Sequence, residues 1–528
     1  MHKNPQAKSS LNPTRNQIAL YFGVSLIAIL FSLYTLNLTT NPPGFYVDEA
    51  TFAYNAYCLA KTGAGEFGVR WPLFFQHYER PFTVFGNPVH MYLLAGLFMI
   101  FPPSIWLARL LSALTGFVAG LLLGFLGFKV SGKQTIGMIM AITALVTPWF
   151  FEFSRWFSDA SYYPLMLALF FLALYRAHLK PRWSWQDVIA IAITLGLLTY
   201  TYTIGRLFGP LLAVGIVIFA TNRGRLVDVV KTWVAYGITL GPLFVFYVGQ
   251  PYALSSRFAT VSYLRTETTL QGLLVRFLTR YFQDLSLTQL LVTGDANPRH
   301  HVAGATGSIL AATVLLAVIG LVIVLVNHRD NPWWRYILFG TFASVIPGAL
   351  TSDPFHTGRM IAYPVFLLVL TIPALDWLME KSEAAIRGET RRRISGFQFW
   401  RRWPTSSKRA ALIVILLATI VQASYFQVVF WRDGYDRNYF WDATYEEAYD
   451  VATATTSRPI YLVDGKWGPG YVIAFWYAAL EGRSKSEFVH LPYRVQAPQG
   501  ALVISSEEKC SDCQIIFDNN HYIVYRKL

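Results

Sequence analysis

Asp48 and Glu49 are adjacent carboxylates behind the turn-rich stretch Asn41-Pro42-Pro43-Gly44-Phe45-Tyr46-Val47, just beyond the first long apolar run. An acid at that address can take a proton from an incoming hydroxyl at a membrane surface, which is general-base chemistry. The structural alternative is an N-cap: Asp48 opens an amphipathic segment that Gly63 would stop. The two roles are compatible, because a carboxylate at a helix start is both ordered and electrostatically favoured. Glu49 is read as a solvated first-turn acid or, less simply, as a second catalytic group.

Three further stretches carry chemistry. Asp159 closes Ser154-Arg155-Trp156-Phe157-Ser158-Asp159 between two apolar runs. It either caps the following helix or serves function, since ionisable groups at membrane depth are costly. An Arg155 and an Asp159 so close can bind a phosphate and orient a sugar hydroxyl. The second stretch is Gly294-Asp295-Ala296-Asn297-Pro298-Arg299-His300-His301. Paired histidines suggest a metal, but no third ligand is adjacent and Arg299 adjoins, which favours an anion. No metal is assigned, no cofactor is required, and a divalent ion has no support. The third is Ser352-Asp353-Pro354-Phe355-His356-Thr357-Gly358-Arg359. Arg359 at a span boundary is a snorkelling anchor or a partner for a lipid phosphate.

The elements that must position these residues are set by composition. The chain of 528 residues is 54% hydrophobic and only 14% charged, against roughly 25% charged in soluble domains. Apolar runs near 20 residues recur, so the chain reads as a polytopic membrane protein. Expected spans are 18–37, 106–128, 135–151, 160–177, 187–203, 207–221, 232–249, 304–326, 335–350, 360–378 and 410–430. The run His90 to Phe101 is too short: twelve helical residues reach about 18 Å against a core of about 30 Å. It is placed as a juxtamembrane or re-entrant helix that does not cross.

Charge tests that choice. With eleven crossings and the N-terminus (1–17) inside, the inside loops hold Lys129 and Lys133; Arg176, Lys180 and Arg182; Arg223, Arg225 and Lys231; Arg329 and Arg335; and Arg391, Arg392, Arg393, Arg401 and Arg402. That is the positive-inside pattern, and it accounts for the net charge of +14 without nucleic acid. No cleavage site follows residues 1–17, so the first span is expected to be a retained anchor. The outside then receives loops 38–105 and 250–303 and a tail from 431 to 528. Pro459-Ile-Tyr-Leu-Val463 reads as a strand, Tyr471 to Leu480 as a helix, and Gln514 to Tyr525 as a hairpin about Asn519-Asn520. The expected fold is therefore an all-α membrane domain over 18–430 with a small extracytoplasmic α/β domain over 431–528. Cys510-Ser-Asp-Cys513 would close a short disulfide in an oxidising compartment.

The order of these motifs resembles the GT-C superfamily of membrane glycosyltransferases. The likeness is to the protein mannosyltransferase-like group (glycosyltransferase family 39 and the bacterial aminoarabinose-transferase relatives). It rests on Asp48-Glu49-Ala50 followed by Asn87-Pro88-Val89-His90, on Ala108-Arg109-Leu110-Leu111-Ser112-Ala113-Leu114, and on Thr147-Pro148 with Arg155 and Asp159. The Gly294-Asp295 to His300 loop and the His356 to Pro364 segment complete it. The resemblance implies an inverting transferase in the cell membrane that uses a polyprenyl-phosphate sugar and a glycan, lipid or protein acceptor. In it Asp48 acts as the base or orients the acceptor, Glu49 and Asp159 are expected beside it as catalytic acids, and Arg155, Arg206, Arg299, His300, His356 and Arg359 are expected to hold the donor phosphate. A polytopic transporter or lipid-linked glycan flippase is the rival reading, but it calls for ionisable residues buried mid-span or Gly/Pro-broken helices near the midplane, whereas here the charges gather at span ends. A membrane scaffold would leave the acid pair without work.

Overall fold

Backbone amides in hydrocarbon must be satisfied within their own segment, so long apolar runs fold as helices. The computed structural model describes residues 15–79, 83–380, 403–465, 468–506 and 512–528, and up to Asp433 it is mostly helical. The expected inside cluster at Arg391 to Arg402, most of residues 1–17 and Cys510 lie outside the described residues. Cys513 is disulfide-bonded.

Among the described residues, three helical segments are long and apolar enough to cross a membrane: Ile105–Ser131, Asp159–His178 and Thr405–Asp436. Two more qualify only as bent pairs, Gln134–Val146 with Pro148–Ser154 at 59° and Arg223–Thr239 with Gly241–Gly249 at 41°. Each break falls at a proline, Pro148 or Pro242, whose ring removes a ladder hydrogen bond. The sequence reading drew both as unbroken spans. It did the same over 335–350, where Pro347 helps separate Pro332–Ala343 from Ile346–Ala349. Shorter apolar helices, Ser25–Thr35, Trp185–Thr201, Gly205–Phe219, Ala311–Asn327 and Tyr363–Met379, fall at five other expected positions but are below spanning length by the same measure.

Four helices frame the site: α1 (Arg15–Thr35), α2 (Val47–Thr62), α3 (Pro88–Phe98) and α4 (Ile105–Ser131). α3 begins on proline, whose missing N–H costs nothing at a first turn, and its 11 residues lie against α2. Between α2 and α3 runs a two-stranded ribbon, β1 (Phe75–His77) and β2 (Val84–Gly86), paired antiparallel.

The tail forms a five-stranded sheet from β3 (Ile460–Val463), β4 (Phe488–Leu491), β5 (Leu502–Ser505), β6 (Cys513–Asp518) and β7 (Ile523–Lys527) in the order β4-β3-β5-β7-β6. β3 pairs parallel with β4 across the helix Tyr471–Glu481, and β6 and β7 form the hairpin through Asn520 at φ +67°. Its apolar face is continuous with the first loop: Phe45, Phe52, Met91 and Phe98 share one core with Tyr449, Trp476, Phe488 and Val524. At the seam a Cβ on Gly44 (φ +63°) would lie 2.3 Å from Ala443 Cα. Only glycine allows that approach.

Candidate active site

α2 carries both acids of the first loop but uses them differently. The helix starts one residue before Asp48, with Tyr46 as N-cap, so Asp48 is not the cap that the sequence suggested. The Val47 N–H donates instead to Asp442 Oδ2 of the tail at 2.9 Å. Asp48, partly exposed, accepts a 2.5 Å hydrogen bond from Tyr78 Oη.

Glu49 is not solvated. It is fully buried and paired with the equally buried Arg109 of α4 at 2.7 Å. Arg109 Nε and Nη2 both donate to it, as do the backbone N–H groups of Phe157 (2.8 Å) and Tyr46 (3.3 Å). The remaining Arg109 donors go to the carbonyls of Leu38, Pro42 and Gly44. Glu49 thereby fixes the loop bearing Asp159 against the helix bearing Asp48. An arginine inside the apolar run 106–128 was the sequence signal for this, since such a charge needs a counter-ion.

Asp159 begins a short 3-10 helix, yet Ser158 supplies the cap. Its own carboxylate accepts from Asn87 Nδ2 at 2.9 Å. Asn87, completely buried, also donates to Thr203 Oγ1 (3.2 Å) and accepts from Arg206 Nη2 (2.9 Å). This hub joins Asp159 to Arg206, and no local pattern announces it. Asp48, Asp159, Arg257 and Arg359 all lie within electrostatic reach of Tyr202. Asp48, Asp442, Arg257 and Arg299 lie within reach of Tyr46. The Arg299 guanidinium sits over the Tyr46 ring at 4.2 Å, and neither it nor that of Arg257 makes a hydrogen bond or ion pair within the described residues. No local sequence pattern marks Arg257.

The two histidine-bearing stretches meet. The His300 and His356 rings are 4.6 Å apart, and His300 Nδ1 is 2.9 Å from Asp295 Oδ2. Asp295, His300 and His356 thus offer three ligand atoms within 4.8 Å of one another, so the third ligand not found beside His300 in sequence arrives from the chain beyond. Asp295 Oδ2 also accepts from Thr357 N (2.8 Å) and Oγ1 (2.5 Å), and Oδ1 from Asn297 N (2.9 Å). Burial alone would raise Asp295, but His300, His356 and Thr357 hold it well below the carboxylate range. Burial, then neighbouring His300 and Arg359, push His356 well down. Arg359 pairs with Asp353 at 2.8 Å and donates to Thr351 Oγ1 at 2.8 Å.

Arg155 stands apart from this group. It is buried, and its terminal nitrogens donate to the carbonyls of Leu33, Tyr34, Leu36, Asn37 and Asn41 at 2.7–3.3 Å. It closes the C-terminal end of α1, which leaves orphan carbonyls of its own.

Acids on the first loop and on the 152–159 turn, arginines near them and a sheet domain packed against the first loop make up the site, and the fold that holds it is shared with solved structures. It is similar to ArnT from Cupriavidus metallidurans bound to undecaprenyl phosphate, with a TM-score of 0.59, 12% identity, and coverage of 96% of this chain and 98% of that one. It is also similar to the archaeal oligosaccharyltransferase AglB from Archaeoglobus fulgidus in complex with an inhibitory peptide and a dolichol-phosphate, at TM-score 0.51 and 14% identity, covering 91% and 65%. Residues 80–248, which hold Asn87, Arg109, Asp159 and Arg206, match the family model for dolichyl-phosphate-mannose-protein mannosyltransferase. No curated protein matches the chain in sequence. The chain thus shares the fold of these two structures over nearly its whole length and the mannosyltransferase model over residues 80–248, and it carries the apolar helices of a multi-pass membrane protein.

Proposed function

We propose that this protein transfers a sugar from a polyprenyl-phosphate donor to an acceptor on the extracytoplasmic side of the membrane, with inversion at the anomeric carbon. The observation that carries the reading is the nearness of opposites: Asp48, held by Tyr78, is within electrostatic reach of Asp159, and it shares the surroundings of Tyr46 with Arg257 and Arg299, whose guanidiniums make no hydrogen bond or ion pair among the described residues. Lipid phosphates in the ArnT and AglB structures support the donor class.

In this mechanism Asp48 accepts the proton of the acceptor hydroxyl. The acceptor oxygen attacks the anomeric carbon from the face opposite the phosphate, and the bond from that carbon to the phosphate oxygen breaks. The leaving lipid phosphate keeps the electron pair, and Arg299, Arg257, Arg359 and Arg206 stabilise its charge, with His300 and His356 beside them. Asp159, oriented by Asn87, holds a sugar hydroxyl. Glu49 positions both acids without touching the reacting atoms. The excess of Lys and Arg on the opposite loops supports an extracytoplasmic site.

The test is consumption of radiolabelled polyprenyl-phosphate sugars by detergent-purified protein with a crude membrane extract as acceptor source. Wild type should consume one donor. Asp48→Asn, which keeps shape but loses the base, should bind that donor and turn it over at least about a hundredfold more slowly. Full activity in Asp48→Asn would remove Asp48 from the chemistry.

A further inference from the structure

The tail domain reaches the candidate base by a second route besides Asp442, and that route contains a proton. His490 on β4 places Nε2 2.8 Å from Asp464 Oδ2, just past β3, and Nδ1 2.8 Å from Glu79 Oε2 in the first loop. The ring lies against Tyr471 with centroids 4.0 Å apart and planes tilted by 32°. The imidazole is 5% exposed and Asp464 1%, whereas Glu79 is 47% exposed. A neutral imidazole has a single N–H and would turn a lone pair toward one of these carboxylates; only the imidazolium donates to both.

Burial opposes that charge, but Asp464 and Glu79 together outweigh it and hold His490 above its ordinary range. Burial raises Asp464 too, against the pull of His490, so the proton is held within the triad. The other groups that face it are Glu66 of the first loop, pushed up to about 7 by burial against the pull of Lys485, and Tyr471, Lys485 and Tyr445 of the tail.

Glu79 directly follows Tyr78, the donor to Asp48. Tyr78 is at φ +61°, a conformation that a bulky residue keeps only where its surroundings impose it. We propose that His490 is a positioning residue for the candidate base: charged, it latches Glu79 to the tail domain and keeps Tyr78 against Asp48; discharged, it releases the half-exposed Glu79 while Asp464 stays buried. The inference rests on the reading of Asp48 as the base. Because the folded ring titrates above its unfolded value, the latch is complete below the unfolded value and is lost as pH rises through the folded one.

The experiment follows amide hydrogen exchange of β1 and β2 in the full-length protein, corrected for intrinsic rate, from about pH 6 to about pH 9. Donor turnover is measured at the same pH values. In wild type, protection of this ribbon should fall about threefold to fivefold as pH rises, the scale of one partly exposed ion pair, and turnover should fall with it. His490→Gln should flatten both profiles. Glu79→Gln, which leaves the tail core untouched should His490→Gln misfold, should do the same. Protection independent of pH in wild type, or a step that persists in Glu79→Gln, would overturn the latch. A step that both variants abolish, with no donor consumed at any pH, would support the latch and refute the glycosyltransferase reading instead.

Discussion

Glu49→Gln separates scaffold from chemistry at the acid pair. The substitution keeps volume but turns one acceptor oxygen into a donor. Glu49 Oε1 now accepts from Arg109 Nε and Phe157 N, and Oε2 from Arg109 Nη2 and Tyr46 N. Whichever oxygen is replaced, an amide NH2 then faces two donors, and Arg109 stays charged in a site where both side chains are 0% exposed. Breaking a buried pair from one side costs about 3–5 kcal/mol. At about 2 °C per kcal/mol, the low end for large domains, the apparent Tm in detergent should fall by about 6–10 °C. Arg109→Met should cost more, because it also strips donors from the carbonyls of Leu38, Pro42 and Gly44, at about 1–3 kcal/mol for each group left unsatisfied. Tryptophan fluorescence during heating, beside donor turnover at low temperature, gives both quantities. A Glu49→Gln protein with wild-type Tm and no turnover would refute the argument and make Glu49 a reacting group.

Asn87→Ala removes the hydrogen bonds that orient Asp159 and Arg206 while leaving both charges in place. Turnover per donor bound should fall about tenfold to a hundredfold, the range of one or two hydrogen bonds to charged groups, and an unchanged rate would dissolve the hub. His77, fully buried in β1 and pushed down to about 4 by burial, is neutral when folded and takes up a proton only on unfolding. Its contribution to stability is therefore full above about pH 6.5 and should be lost as pH falls from there through about 4. Melting curves on the acid side should show the loss in wild type and a flatter dependence in His77→Phe.

What the sequence disclosed, and what it hid, follows from the range of the interaction concerned. β3, the helix Tyr471–Glu481 and the β6–β7 hairpin form where alternation and the Asn519-Asn520 turn predicted them, because those signals are local. Hydropathy found the apolar helices but not their breaks at Pro148 and Pro242, since a proline in an apolar run also occurs in continuous kinked helices. The candidate site was legible as residue types and illegible as partners. Asp48, Asp159, Arg299, His300 and Arg359 stand out as polar groups in an apolar chain. That Tyr78 holds Asp48, that Asn87 bridges Asp159 and Arg206, or that His356 meets His300 depends on how distant segments pack, which no window of sequence contains. Glu49 was misjudged for the same reason: its partner Arg109 lies 60 residues away.

The arginines can be ordered by how much of each guanidinium the protein itself consumes. Arg155 spends its terminal nitrogens on five backbone carbonyls. Arg109 spends all three nitrogens on Glu49 and three carbonyls. Groups so committed are structural cations, because a phosphate oxygen would have to displace a buried carbonyl that then has no donor. Arg206 and Arg359 each commit part of the fork, Arg206 to Asn87 and Leu254 and Arg359 to Thr351 and Asp353. Arg257 and Arg299 commit none among the described residues, and Arg299 lends only its face to Tyr46. A bidentate grip on phosphate needs two free N–H groups on one edge, so the capacity to hold an anion rises from Arg155 to Arg299. Partly free or free cations at Arg206, Arg257, Arg299 and Arg359 stand opposite the acids Asp48, Asp159 and Asp442. Asp353 already matches Arg359 at 2.8 Å, so the cations left to take up an added negative group are Arg257 and Arg299.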